Sequence, residues 1–209
     1  MKMLAYNNDP KLRRAFLAQI RLHRKQDQIV KGTYGQQNGH WRGCAVGCSI
    51  HSLNAIQGTT YSTDDHAASE KIGIPQALYR LQDSIFEGLP SKKNAAFVVD
   101  FAQAIPCGAD LSKVTAQFLV WCLLDKKHGA IRHAPADKFK DCHQAILASA
   151  ALWQNYIKTG KHGASAARSA ARSAASAASA AWSAESAAQY DFWQAAAATI
   201  IKLLKKARP

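Results

Sequence analysis

No segment of this sequence reaches the roughly eighteen uninterrupted apolar residues that a membrane-spanning helix requires. Nor does it read as carrying a secretion leader. The N-terminus is basic, but Arg, Lys, His, Gln and Asp interrupt every apolar run over residues 11–31. Cysteine is sparse and odd in number: Cys44, Cys48, Cys107, Cys122 and Cys142 show no framework spacing. That argues against a disulfide-stapled secreted scaffold and predicts reduced thiols in a cytoplasmic protein. Neither a GxGxxG nor a Walker pattern occurs, so no phosphate-cradling loop is expected. Acidic residues are also scarce, 14 Asp and Glu against 27 Lys and Arg in 209 residues, for a net charge of +13.

That shortage of acid is uneven. The first 31 residues carry Lys2, Lys11, Arg13, Arg14, Arg21, Arg24, Lys25 and Lys31 against Asp9 and Asp27. The last turn carries Lys202, Lys205, Lys206 and Arg208 with no acid, whereas residues 61–90 are acidic. A basic face of this kind suits an acidic partner, nucleic acid or a phosphate-bearing nucleotide above all. It equally suits a solvated face that keeps the protein soluble.

Helical periodicity dominates what is present, and the fold is expected to be all-α: a compact multi-helix domain over residues 1–160 with a long Ala-rich C-terminal helix over 161–209. Asp9-Pro10 opens a basic amphipathic helix, with Asp as cap, Pro at the first position, Leu12, Phe16 and Ile20 on one stripe, and Gly32 as the stop. Residues 32–43 form a glycine-punctuated loop carrying Tyr34, Gln37, His40, Trp41 and Arg42. A second helix is expected from Cys44 to Gln57, stopped by Gly58. At 100° per residue, Val46, Ile50 and Leu53 share one of its faces, and Cys44, Cys48, His51 and Ala55 the opposite one. Ser62 to Asp65 reads as a capping box for a short helix ending at Gly73, with His66 and Glu70 one turn apart. Further helices start after Pro75, at Ser91 and after Ser112, and a long one runs up to Gly160. Asp83 and Glu87 fall one turn apart and read as a solvated carboxylate pair.

Residues 164–190 are low in complexity. Serines at 165, 169, 173, 176, 179, 183 and 186 recur at an average step of about 3.5, the spacing of a helix–helix seam. Alanine is the best helix former, so one continuous helix is expected, docking back on the core through Ile200, Ile201, Leu203 and Leu204 or pairing with a second copy.

The sharpest chemical constellation is His40-x3-Cys44-x3-Cys48-x2-His51. A cysteine after glycine at a helix N-terminus has its thiolate favoured by free N–H groups and the helix dipole. Cys44 is therefore the candidate nucleophile, His40, His51 and His66 are candidate bases, and Asp65 (or Glu70) is a candidate orienting acid. Gln36 or Gln37 stands where an oxyanion donor would. A Gln a few residues before a helix-starting Cys locally resembles papain-like cysteine hydrolases. Zinc is the weaker alternative, because Cys44 and His51 lie about 10 Å apart along the axis. No metal site and no cofactor are expected. The bland reading is that the cysteines simply fill the core. For binding, Tyr34, Gln37, Trp41 and Arg42 of the loop, with Arg13, Arg14, Arg21 and Arg24 of the first helix and Arg168 and Arg172 of the arm, are the candidate contacts.

GCAVGCSIHS, DDHAASEKIGIPQALYRLQDSIFEGLP, FAQAIPCGADL and the Ala-rich segment ending in IIKLLKKARP together resemble a family of uncharacterised proteins of bacteriophages and gut bacteria, across nearly the whole chain. The resemblance implies a phage-type accessory protein acting in the host cytoplasm, in host takeover or defence evasion, and carries no activity with it. Three functions follow as expectations: a binding protein for an acidic partner, a Cys44-dependent hydrolase or transferase, and an assembly protein using the Ala-rich helix.

Overall fold

An aspartate before a proline starts the first long helix in the computed structural model, which describes residues 3–38, 40–161 and 186–208, without the side chains of 36–40 and 186–190. The Asp9 carboxylate accepts a hydrogen bond from Lys11 N–H at 2.7 Å, and Pro10 takes the first position of α1 (Pro10–Lys25). The helix stops before the expected Gly32, because Asp27 turns left-handed with φ of 52°. Its buried face is Phe16, Leu17, Ile20 and His23.

Among the described residues the chain forms seven α-helices, three short 3-10 turns and one antiparallel hairpin of two three-residue strands. The fold is all-α. The hairpin, β1 (Gln36–Asn38) and β2 (His40–Arg42), lies within the glycine-rich segment read above as a loop. No helix among the described residues is long and apolar enough to cross a membrane.

The chain divides into two units. One combines residues 1–112 with 200–209, the other is 113–199. In the first, α1 packs on α2 (Ala45–Gln57) and α4 (Ser91–Ala104), and α3 (Gln76–Gly88) packs on α2 and α4. Cys44 caps α2, and Gly58, at φ of 64°, ends it. Asp65, not Ser62, caps the next element: its carboxylate accepts from Ala67 N–H, and the 3-10 turn His66–Ile72 follows.

The end of α4 shows how distant residues complete a helix. The carbonyl of Ala102 would bond the N–H four residues on, but that residue is Pro106, which has none. The buried Tyr6 hydroxyl supplies the donor at 2.8 Å. Arg13 Nε and Nη2 donate to the carbonyls of Ile105 and Gln103 at 3.0 and 2.9 Å. Arg13 is thus a structural clamp rather than a ligand contact. Tyr6 reaches its place through a turn in which Tyr6, Asn7 and Asn8 all have positive φ, 54°, 52° and 57°. Such a conformation costs about 1–2 kcal/mol per residue, offset here by burial of the Tyr6 ring and its hydrogen bond.

In the second unit α5 (Val114–Leu124) packs on α6 (Lys140–Thr159). Asp125 ends α5 by accepting from Lys127 and His128 N–H, and Gly160, at φ of 69°, ends α6. Phe139 is 55% exposed at the start of α6. Phe192, on α7 (Ser186–Lys206), stacks on Trp121 with ring centroids 5.7 Å apart. The chain rejoins the first unit at Ile200, where Ile200 and Leu204 are buried and the Arg208 carbonyl accepts Asp110 N–H at 2.8 Å. Residues 162–185 lie outside the described residues, and with them the expected seam, Arg168 and Arg172.

Candidate functional site

The segment between α1 and α2 is clamped from both sides, and the clamping places Tyr34. Lys31 Nζ donates to the carbonyls of Glu87 and Leu89 at 2.6 and 2.5 Å, at the end of α3. The Glu87 carboxylate accepts Gly32 N–H at 3.2 Å. Thr33 C=O accepts Cys44 N–H at 2.6 Å. The Tyr34 carbonyl then lies directly on the first turn of α2: a Cβ at Gly47 would sit 1.8 Å from it, and one at Gly43 2.8 Å from it. The two glycines flanking Cys44 in GCAVG are therefore spaces for one backbone carbonyl.

Cys44 begins α2 with its side chain turned back along the helix start, where Gly47 N–H donates to Sγ at 3.5 Å. Facing the thiol from α3 is the carboxylate of Asp83. Asp83 Oδ2 lies 4.0 Å from His66 Nε2 and 3.5 Å from the Tyr34 hydroxyl. Asp83 Oδ1 is buried and has no hydrogen-bond partner among the described residues. The Tyr34 and His66 rings meet edge-on at 5.6 Å. Cys44 is 2% exposed and Tyr34 40%, so the phenol is the outer member of the cluster and the sulfur the inner one.

Burial pushes the Cys44 thiol up to about 12, and the Asp83 carboxylate adds to the effect against the opposing N–H groups of Gly47 and Val46. At neutral pH the resting form is therefore a thiol able to donate its proton to Asp83, not a free thiolate. His66 Nδ1 lies 3.0 Å from the Asp64 carbonyl, which can only accept, so Nδ1 carries a proton. At 4.0 Å, Asp83 Oδ2 and His66 Nε2 lie within ion-pair reach but beyond hydrogen-bond distance.

A second cluster lies on the other side of Cys48. His23 Nδ1 donates to Gln28 Oε1 at 2.5 Å, which leaves Nε2 to accept from His51 Nδ1 at 3.4 Å. Trp41 stacks on His51 with centroids 4.1 Å apart and planes 18° apart. Its opposite edge fills the space left by Gly35 and Gly43. Cys48 Sγ donates to the carbonyl of Gly43 at 3.4 Å. Burial lowers the pKa of His23, aided by His51 and opposed by the bond to Gln28, and burial lowers that of His51. The unfolded chain therefore binds more protons just below the ordinary histidine value of about 6.5. Stability is expected to be full above that value and to fall as pH drops through it towards the lower native values. The thermal unfolding midpoint between pH 7.5 and 5 checks this. A midpoint that stays level, or an equal decline in His23→Gln, would count against it.

No protein-family model matches this chain, and neither does any curated protein or solved structure. The site accordingly rests on its own geometry.

That geometry sorts the candidate residues. Cys44, His66 and Tyr34 come together, joined through Asp83. His51 does not serve Cys44, because its ring is engaged by His23 and Trp41. Asp65 does not orient His66; its carboxylate is spent on Ala67 N–H. Trp41 wedges the hairpin against α2 instead of presenting a face. Arg42 is exposed on β2, opposite Gln36. The side chains of Gln37 and His40 lie outside the described residues. Arg14, Arg21 and Arg24 are exposed on α1. Asp83 and Glu87 do not act as a pair: Glu87 holds Gly32, and Asp83 meets Cys44. Asp83 was detectable from the residues around it, since it stands between Tyr79 and Phe86 at helical spacing, both buried, and a carboxylate inside an apolar stripe is costly unless used. Among the described residues no three His, Cys, Asp or Glu side chains are placed to hold a metal ion.

Proposed function

We propose that this protein is a cysteine-dependent acyl-transfer enzyme, a hydrolase or transferase with Cys44 as nucleophile. One observation carries the reading: the thiol at the start of α2 faces the Asp83 carboxylate, whose buried Oδ1 has no hydrogen-bond partner among the described residues. A buried, uncompensated carboxylate oxygen costs stability, and such groups concentrate where proton transfer is needed.

In the reaction this supports, the Cys44 sulfur attacks an ester or amide carbonyl carbon while its proton passes to the Asp83 carboxylate. The N–H groups of Val46 and Gly47 in the first turn of α2 favour negative charge at the sulfur. His66, when protonated at Nε2, gives that proton to the leaving alcohol or amine and is reprotonated by the Asp83 carboxyl. A thioester remains on Cys44. Water or a second nucleophile, deprotonated by the same pair, releases the acyl group and restores the thiol. The order thiol, carboxylate, imidazole departs from the more familiar thiol, imidazole, carboxylate. It suits a thiol that rests protonated. All five cysteines are free thiols, so the reading fits a reducing cytoplasm, that of the host if the chain is phage-encoded.

The test is a pre-steady-state reaction with 4-nitrophenyl acetate. The expected result is a burst of one 4-nitrophenolate per chain, with an acetyl group on the peptide containing Cys44 by mass spectrometry. Acetylation confined to lysines, or shared equally among the five cysteines, would remove the proposal.

A further inference from the structure

We infer that α1 and the C-terminal end of α7 form one cationic surface that seats the phosphate backbone of duplex DNA. The inference rests on surface charge and does not depend on the chemistry of Cys44.

Lys11, Arg14, Ala18, Arg21 and Lys25 recur at steps of three and four, so they fall on one line along the outside of α1. All five are exposed. The line is about 21 Å long at 1.5 Å per residue, and no acid interrupts α1 from Pro10 to Lys25. The opposite face is buried through Phe16, Leu17, Ile20 and His23, and Arg13 is tied to the carbonyls at the end of α4, so the helix is held with this line outward. Arg21 Nη2 is steadied by Gln103 Oε1 at 3.3 Å and remains exposed.

The fold then adds the second basic segment. Ala5 N–H donates to Ala109 C=O at 2.9 Å, and Asp110 N–H donates to Arg208 C=O at 2.8 Å. Adjacent residues of one loop thus hold the segment entering α1 and the segment leaving α7. Two stretches separated by most of the sequence, each rich in cations, are fixed at the same place. Lys202, Lys205, Lys206 and Arg208 are all exposed there.

The partner follows from what this surface lacks. The line on α1 has no aromatic ring on which an unpaired base could stack, which disfavours single strands. It has no Asn or Gln to read adenine edges, and its evenly spaced cations suit phosphate oxygens. Ala18, small and central, lets the helix approach a backbone closely with cations on either side.

The experiment is fluorescence anisotropy of the full chain with a labelled mixed-sequence DNA duplex of about 20 base pairs, from 50 to 200 mM KCl. Four phosphates engaged by the α1 line alone predict a slope of log K against log salt of about −4, steeper if the C-terminal cations add to it. Arg14→Gln with Lys25→Gln should flatten the slope by about 2 units and weaken binding at 50 mM salt by at least about tenfold. Lys205→Gln with Lys206→Gln should flatten it independently. Both pairs are exposed, and unchanged circular dichroism verifies their folding. Absence of duplex binding, a slope shallower than about −1, tighter binding to a single strand of the same length, or slopes unmoved in both double variants would each overturn the inference.

Discussion

Replacing Asp83 by Asn is expected to drive two reactions of Cys44 in opposite directions. Iodoacetamide needs only a thiolate, and the Asp83 charge is one of the causes that hold the thiol protonated, after burial itself. Without that charge, alkylation at pH 8 should quicken. Acylation by 4-nitrophenyl acetate needs somewhere for the thiol proton to go while the carbonyl is attacked, and an amide cannot take it. The burst should slow by about a hundred- to ten-thousandfold, the usual contribution of a positioned base. Asn is nearly isosteric with Asp, and Oδ1 has no hydrogen-bond partner among the described residues to lose, so the variant should fold. A carboxylate that was merely structural would alter both rates in the same sense or neither. Parallel changes would therefore sink the assignment of Asp83 as base.

Gly47→Ala should be among the most damaging single added methyl groups in the first unit. The added carbon would lie 1.8 Å from the Tyr34 carbonyl oxygen and 2.7 Å from its carbon. Both are backbone atoms, and the segment that carries them cannot slide, because Lys31 is fastened to the end of α3 and Thr33 to Cys44 N–H. Either α2 tilts or the segment detaches, at an expected cost of about 3 kcal/mol or more. Tyr34 would leave Asp83 in either case. Gly58→Ala is the comparison: its φ is also unfavourable for a side chain, at 64°, but nothing lies within 4 Å of the added carbon. That variant should cost only about 1–2 kcal/mol. Urea unfolding of the two proteins measures the difference, and equal losses would mean that the close approach of Tyr34 is unimportant.

Much of the helical framework was legible from local signals, because helix ends are decided by near neighbours. Asp9-Pro10 starts α1, Cys44 caps α2, and Gly58, Gly73 and Gly160 end their elements in left-handed conformations. Cys44, His66 and Tyr34 were legible as chemical candidates for similar reasons. What joins them was not. Asp83 meets Cys44 only through the packing of α3 on α2, and nothing in the spacing of the two residues records that contact. Asp65 was the nearer acid to His66, but a carboxylate one residue before a helical turn is drawn to the turn's own N–H groups. The thiol-and-imidazole stripe of α2 divided for a related reason: both sides of its first two turns are buried, Cys48 against a carbonyl and His51 against His23 and Trp41. Arg13 looked like a surface cation because the carbonyls it caps lie about ninety residues away.

Residues 200–209 are synthesised after the whole of 113–199, yet they belong with the unit that begins the chain. At about 5–20 residues per second, a ribosome leaves that first unit without Ile200 and Leu204 for several seconds. Its nascent form must wait with an open seam, vulnerable to proteases and attractive to chaperones, until a distant stretch of the same polypeptide arrives to shut it.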